Sequence, residues 1–303
     1  MQITPLILAN NLLQNVQTQE NRISQLQSEA TTGQVFQVPS DNPVAAENTL
    51  SLNDALSTVN AYQTSANQAA GWLNQTSGAL SSAISLFQSV ISTATQAANG
   101  TLNSADLNAI AEAVAQDQKT YAQILNSQYN GEYLFGGYQG AGAPLTVNPS
   151  TGLASWPAES TQLMRFALGN SSTVTVNLTG FENVGQPTGS NYFQQSYNDL
   201  TQLVNDLKTN PSNLANDLGA LNNDLAYLTS AQSLVGGRLN RVQDIQSQLH
   251  TVAYNLQEGV AQTGGADIAS VTIELAQAQQ AYQAALQSGS QILPMSLLSF
   301  INP

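Results

Sequence analysis

LANDLGALNNDLAYLTSAQSLVGGRLNRVQDIQSQLHTVAYNLQEGV, residues 214–260, is the stretch whose spacing decides the fold. Its apolar side chains recur in alternating steps of four and three: Leu214, Leu218, Leu221, Leu225, Leu228, Val235, Leu239, Val242, Leu249, Ala253, Leu256 and Val260, with Gln232 and Gln246 completing the series. That rhythm draws a single stripe along a long α-helix, the seam of a coiled coil. Asn210-Pro211 opens the stretch and Gly264-Gly265 closes it, as helix punctuation should.

Working outward, a second unbroken seam runs Leu52, Leu56, Val59, Gln63, Ala66, Ala70, Leu73, Ser77, Leu80, Ile84, Phe87, Ile91, Ala94, Ala98 and stops at Asn99-Gly100. Asn42-Pro43 before it reads as an N-cap followed by proline in the first helical position. A third helix is predicted from Asn103-Ser104, carrying Leu107, Ile110, Val114, Tyr121 and Ile124, ending around residues 128–131 and returning antiparallel because its connection is short. Past Gly136-Gly137 apolar residues alternate, as in Val174, Val176, Leu178, which predicts β structure with Trp156, Met164, Phe166 and Phe181 as its core. Helix resumes near Tyr197.

Both ends of the chain carry shorter seams: Leu12, Val16, Gln19, Ile23, Leu26, Ala30, and Ile268, Val271, Leu275, Ala278, Tyr282, Ala285, Gly289, Ile292, the second weakening toward Pro294. The expected fold class is mainly α: long antiparallel coiled-coil helices formed by the N- and C-terminal regions, with a small β-rich insertion in the middle. The expected divisions are residues 1–38 and 265–303 as halves of a terminal helical domain, 39–137 and 196–264 as parts of a helical core domain, and 138–195 as the β-rich outer domain. The terminal helices have matching seams and are expected partners. Neither can hold shape alone, since short helices draw their stability from tertiary packing. Their seams, Leu12, Val16, Ile23, Leu26, Ile268, Val271, Leu275, Tyr282 and Ile292, are therefore expected to order against neighbouring copies.

Charged residues are 8% of the 303, and the net charge is −13. The six bases, Arg22, Lys119, Arg165, Lys208, Arg238 and Arg241, are scattered, so no basic stripe exists for nucleic acid or an anionic membrane. There is no cysteine, hence no disulfide or thiolate chemistry. No apolar run approaches the ~18 to 20 residues of a membrane-spanning helix. The first Lys or Arg is Arg22, so the basic start of a cleaved secretory signal is missing. His250 stands alone, without a second histidine or cysteine to complete a metal site. Asp217 and Asp224, a heptad apart, read as solvated flanks of the seam, and Arg241 with Asp244 as a surface ion pair. Gly236-Gly237 interrupts a helix in register and is expected to allow close packing of a neighbouring helix. No catalytic, cofactor-binding or metal-binding residue emerges, and the chain is read as non-enzymatic.

Residues Thr32-Gly33-Gln34-Val35-Phe36-Gln37-Val38-Pro39-Ser40-Asp41-Asn42-Pro43-Val44-Ala45-Ala46 resemble the signature that follows the first helix in flagellins and hook-associated proteins, the axial proteins of the bacterial flagellum. Tyr133-Leu134-Phe135-Gly136-Gly137 is similar to the motif with which the hook-associated branch leaves its third helix. Residues 267–298 look like the shared C-terminal helix. Pro39-Ser40-Asp41-Asn42-Pro43 and Phe135-Gly136-Gly137 favour the branch adjoining the filament, the third hook-associated protein, over flagellin. The resemblance implies a ring at the hook–filament junction, with the first hook-associated protein on the hook side, flagellin beyond, and copies of itself around the axis. It also implies an extracellular location reached by type III export without a cleaved signal peptide, and a cytoplasmic export chaperone on the C-terminal helix. The motif loop to watch is Thr32, Gly33, Pro39, Ser40, Asp41, Asn42 and Pro43; Phe135, Gly136 and Gly137 form the expected domain hinge. The alternatives are a filament subunit and, from another class, a secreted coiled-coil adhesin.

Overall fold

The computed structural model describes residues 5–137, 142–156, 162–181 and 191–301, and the side chains of all these except 5, 6, 8, 9 and 291–301. The elements run α1 (Pro5–Thr32), α2 (Pro43–Ala98), α3 (Ser104–Leu125), β1 (Gln128–Tyr129), β2 (Glu132–Tyr133), β3 (Thr146–Val147), β4 (Ala154–Ser155), β5 (Arg165–Ala167), β6 (Thr173–Thr175), α4 (Tyr192–Thr209), a 3-10 turn (Pro211–Asn213), α5 (Leu214–Gly264) and α6 (Ile268–Ile301). The strands form three antiparallel pairs, β1–β2, β3–β4 and β5–β6. The chain is therefore mainly α with a small β-rich middle. Contacts divide it into two compact units, residues 59–251 and residues 1–58 with 252–303.

In the larger unit, local chemistry sets the helix ends. Asn103 Oδ1 accepts from the Ala105 and Asp106 amides at 2.8 and 3.0 Å and starts α3. Asn191 does the same for α4 through the amides of Phe193 and Gln194, while its Nδ2 donates to the Thr179 carbonyl. One apolar cluster fills the unit. Phe87 of α2 meets Tyr121 of α3 edge to face at 5.0 Å, Trp72 meets Tyr129 at 5.9 Å, and Phe135 meets Phe193 of α4 at 5.0 Å.

Burial departs from the expected seams in instructive ways. On α2 the buried rows are Ala66, Leu73, Leu80, Phe87, Ala94 and Ala69, Thr76, Ala83, Val90, Ala97, whereas Ala70, Ser77, Ile84, Ile91 and Ala98 lie at the margin or outside. The small residues of the second row leave room for a neighbouring backbone, which outweighs the larger side chains of the expected row. α3 ends at Leu125, short of the expected stop. Asn130 and Gly131 adopt positive φ, 52° and 85°, and turn the chain into the β1–β2 hairpin. Trp156 is buried and Met164 and Phe166 pack at the cluster's edge, but Phe181 is exposed; Leu145, Leu168, Val174, Val176 and Leu178 supply the interior. α4 begins earlier than expected, at Tyr192. α6 continues beyond Pro294 to Ile301 instead of fading before it.

Candidate assembly surface

The smaller unit is built on α1 and α6. Leu26, Val271 and Ala278 are buried together, with Ile23, Ala30, Ala266 and Leu275 packed around them. Along α1 the expected seam residues Leu12, Val16, Gln19, Ile23, Leu26 and Ala30 are shielded, as are Ser28 and Glu29, and outward neighbours such as Leu13 and Asn15 are exposed. Along α6 the same holds for Val271, Leu275, Ala278, Tyr282, Ala285 and Gly289, but Ile268 is 44% exposed and Ala266 takes its place in the contact. The side chain of Ile292 lies outside the described residues. Gly289 lets the helices close: a Cβ there would stand 2.5 Å from Leu12 Cδ2. Polar bonds flank the seam, Arg22 to Glu274 and the Tyr282 hydroxyl donating to Glu20 Oε1 at 3.2 Å. The two terminal seams thus face each other within one chain.

Among the described residues, eleven of the fifteen large apolar side chains that stand exposed belong to this smaller unit, among them Leu13 at 59%, Ile273 at 60% and Leu286 at 48%. Scattered single exposures need no explanation, but their concentration in one unit marks it as unfinished on its own.

The motif loop is ordered by its own side chains. Gly33, at φ 68°, ends α1 with its amide on the Glu29 carbonyl at 2.8 Å. Asp41 Oδ2 accepts from the amides of Gln37 and Val38, both at 3.2 Å, folding residues 37–41 into a turn around Pro39 and Ser40. Asn42 Oδ1 accepts from the Ala45 amide at 3.1 Å and caps α2, with Pro43 in the first helical position. Gln34 pairs with Gly265 in a lone β-bridge, where Val35 N donates to the Gly264 carbonyl at 3.0 Å and Ala266 N to the Gly33 carbonyl at 2.8 Å. Between α1 and the loop lies a polar cleft of about 350 Å³ bordered by Asn21, Ser28, Glu29, Gln37 and Asp41.

In the larger unit, Phe135, Gly136 and Gly137 form a buried turn, with Gly137 at φ 67°. His250 is exposed. Among the described residues no group of acids, histidines or cysteines could hold a metal ion, and no helix is long and apolar enough to cross a membrane. The described ion pairs are Arg22–Glu274 and Lys208–Glu112; Arg241 and Asp244 do not form the pair expected of them. At Gly236 and Gly237 a Cβ would meet nothing within 4 Å, so close packing of a helix inside the chain is not why glycine stands there.

Asp217 and Asp224 differ most from expectation: they are 6% and 4% exposed, buried beside Asp206 and Asp199 of α4. Burial first, and then the Asp199 charge, push the Asp224 carboxyl up to about 9, and burial with the Asp206 charge pushes Asp217 up to about 6. The signal was available, because Asp199, Asp206, Asp217 and Asp224 are spaced by heptads on two helices joined by a short turn.

Residues 3–140 match the family model of the bacterial flagellin N-terminal helical region. No curated protein sequence matches the chain. Among solved structures, the fold is similar to that of a Vibrio parahaemolyticus protein described as a flagellar hook-associated protein, at 20% identity over 74% of this chain and 100% of that one, with a TM-score of 0.65. FlgL of Bacillus cereus is similar at 17% identity over 70% of this chain and 99% of its own, TM-score 0.59. Flagellar hook-associated protein-3 of Legionella pneumophila is similar at 14% identity over 68% and 97%, TM-score 0.58. Residues 3–140 thus match the bacterial flagellin N-terminal helical region, and the fold of the chain is similar to that of flagellar hook-associated proteins.

Proposed function

We propose that this chain is a structural subunit of the bacterial flagellum that joins hook-type subunits to the flagellin filament. The observation that carries the reading is the smaller unit: its two terminal helices close on each other, yet it exposes Leu13, Ile273 and Leu286 on their other faces. Such side chains suit a head-to-tail interface repeated around an axis, which closes into a ring when the rotation permits. The fold likeness supports the junction over a filament subunit, as do Pro39-Ser40-Asp41-Asn42-Pro43 and Phe135-Gly136-Gly137.

On this reading the partners are the first hook-associated protein, flagellin and further copies of the chain, and an export chaperone covers α6 before assembly. On this reading the protein works outside the cell. The role is geometric, and no catalytic residue or cofactor is assigned. The division into a terminal helical domain, a helical core and an outer β-rich domain belongs to the same proposal, with 33–43 as a loop that neighbouring copies touch.

The test is a double substitution, Leu13→Asp with Ile273→Asp, introduced into cells lacking the gene. Cells without the gene should carry hooks but no filaments and shed flagellin into the medium, and the variant should fail to restore filaments while melting like the unaltered chain. Filaments of ordinary length on cells carrying only the variant would refute the interface. Filaments of ordinary length on cells lacking the gene would refute the junction role and leave the adhesin reading.

A further inference from the structure

Two pairs of aspartates meet where α4 and α5 pack inside the larger unit. Asp199 and Asp206 stand a heptad apart on α4, Asp217 and Asp224 a heptad apart on α5, and antiparallel packing across the 3-10 turn sets Asp206 with Asp217 and Asp199 with Asp224. Asp206 is 5% exposed, and its Oδ2 accepts from Gln202 Nε2 at 2.9 Å and Asn213 Nδ2 at 2.6 Å. Oδ2 of Asp217 and Oδ2 of Asp224, both buried, receive no hydrogen bond from any donor. An ionised carboxylate in that position loses water and gains nothing. A carboxyl that keeps its proton becomes a donor, and the neighbouring aspartate is the acceptor within reach.

We propose that the α4–α5 hairpin is a proton-dependent latch, in which Asp224 donates a carboxyl proton to Asp199 and Asp217 donates one to Asp206, and which loosens when those protons leave.

The division of roles follows the surroundings. The amide donors of Asn213 and Gln202 hold Asp206 below the usual carboxylate range, which makes it the charged member of its pair. Asp199 is raised by burial and steadied by hydrogen bonds with Asp224 and Gln195. From α3 the facing group is Tyr121, whose hydroxyl lies 2.7 Å from Ser196 Oγ and whose ionisation is pushed up by burial and, to a lesser degree, by the charge of Asp224. Asp117 of α3 is raised by burial alone, and Gln118 bonds to Thr201. Residues 59–98 of α2 contain no acid, lysine, arginine or histidine. Tyr192 and Tyr227 stack at 4.1 Å, and burial raises Tyr197. Lys208 pairs with Glu112, and no base contributes to the shifts of Asp199, Asp217 or Asp224.

Both proton donors have folded values above that of an exposed aspartate, about 4, so the folded unit binds more protons than the unfolded chain. The contribution of these two protons is then full below about pH 4 and declines as pH rises, through two protons up to about 6 and one proton up to about 9. Each proton lowers the folded-to-unfolded ratio about tenfold per pH unit.

Urea unfolding of the full chain between pH 6 and 9 tests this, read by the fluorescence of Trp72 and Trp156, the two tryptophans of the protein, both in the larger unit. The ratio should fall by on the order of 10³ across that range. Asp224→Asn keeps a donor toward Asp199 and removes the titration, so its ratio should stay nearly level above pH 7 and exceed the unaltered chain's at pH 9. A flat pH profile for the unaltered chain, or an Asn variant weaker by the same factor at every pH, overturns the latch. Should the variant fail to fold, carbon-13 titration of the Asp224 carboxyl in the unaltered chain decides. A midpoint above pH 7 sustains the latch and one near pH 4 ends it.

Discussion

Replacing Leu26 by alanine isolates what holds the terminal helices together. Leu26 is 1% exposed and, among the described residues, is the largest apolar side chain buried between α1 and α6, where its companions are Val271 and Ala278. Leucine-to-alanine changes in closed interiors cost about 2–5 kcal/mol, with the larger values where the cavity cannot collapse. Two helices with solvent around them can draw in, so the expected loss lies near the lower end, roughly 2–3 kcal/mol. That corresponds to opening about 30 to 150 times more often. Hydrogen exchange followed by mass spectrometry on the intact chain reads this directly. Peptides from α1 and α6 should exchange faster by that factor, while peptides from residues 66–97, which belong to a separate cluster, should keep their rates. Unchanged exchange in α1 and α6 would mean that the seam does not hold the pair, and equal acceleration in residues 66–97 would mean that the two clusters are not independent.

Three further substitutions probe glycines. Gly236→Ala and Gly237→Ala lie in the middle of α5 with open space where the methyl would go, so each should raise stability by about 1 kcal/mol, and a lower melting temperature would contradict that account. Gly180→Ala should do the reverse: φ is +81°, and the new Cβ would stand 2.6 Å from Asn191 Oδ1 and 2.8 Å from Phe193 Cδ2, disturbing the cap of α4 and the core beneath it. The left-handed backbone alone costs roughly 1–2 kcal/mol, so an unaltered urea midpoint for the larger unit would be inconsistent with the geometry.

The long helices could be read from sequence because their seams repeat many times and their ends carry their own punctuation. Asn99-Gly100, Asn103 and Asn210-Pro211 mark boundaries that depend only on neighbouring residues. Which stripe of α2 would be most buried was not legible in this way, because α2 has apolar or small residues on more than one side and the choice depends on which helices surround it. The β1–β2 hairpin was marked by Asn130-Gly131, a strong turn signal that lay where the helix was expected to fade. Asp217 and Asp224 were misread for a different reason. Acids beside a seam are usually solvated, and nothing within α5 itself marks that α4 packs over these two. The shielded stripes of the terminal helices follow the expected seams apart from Ile268, with the Ile292 side chain outside the described residues, but sequence alone did not distinguish a partner in another copy from one at the far end of the same chain.

The bridge between Gln34 and Gly265 has a consequence for counting. It fixes the phase of two helices whose sequences are more than two hundred residues apart, because α1 ends just before it and α6 begins just after it. Each residue of an α-helix turns through about 100°, so one residue gained or lost between Gly265 and Ile268 would swing Val271 and Ala278 off Leu26. The connection can therefore accept many changes of letter while remaining intolerant of a change in number, and two amide hydrogen bonds act as its gauge.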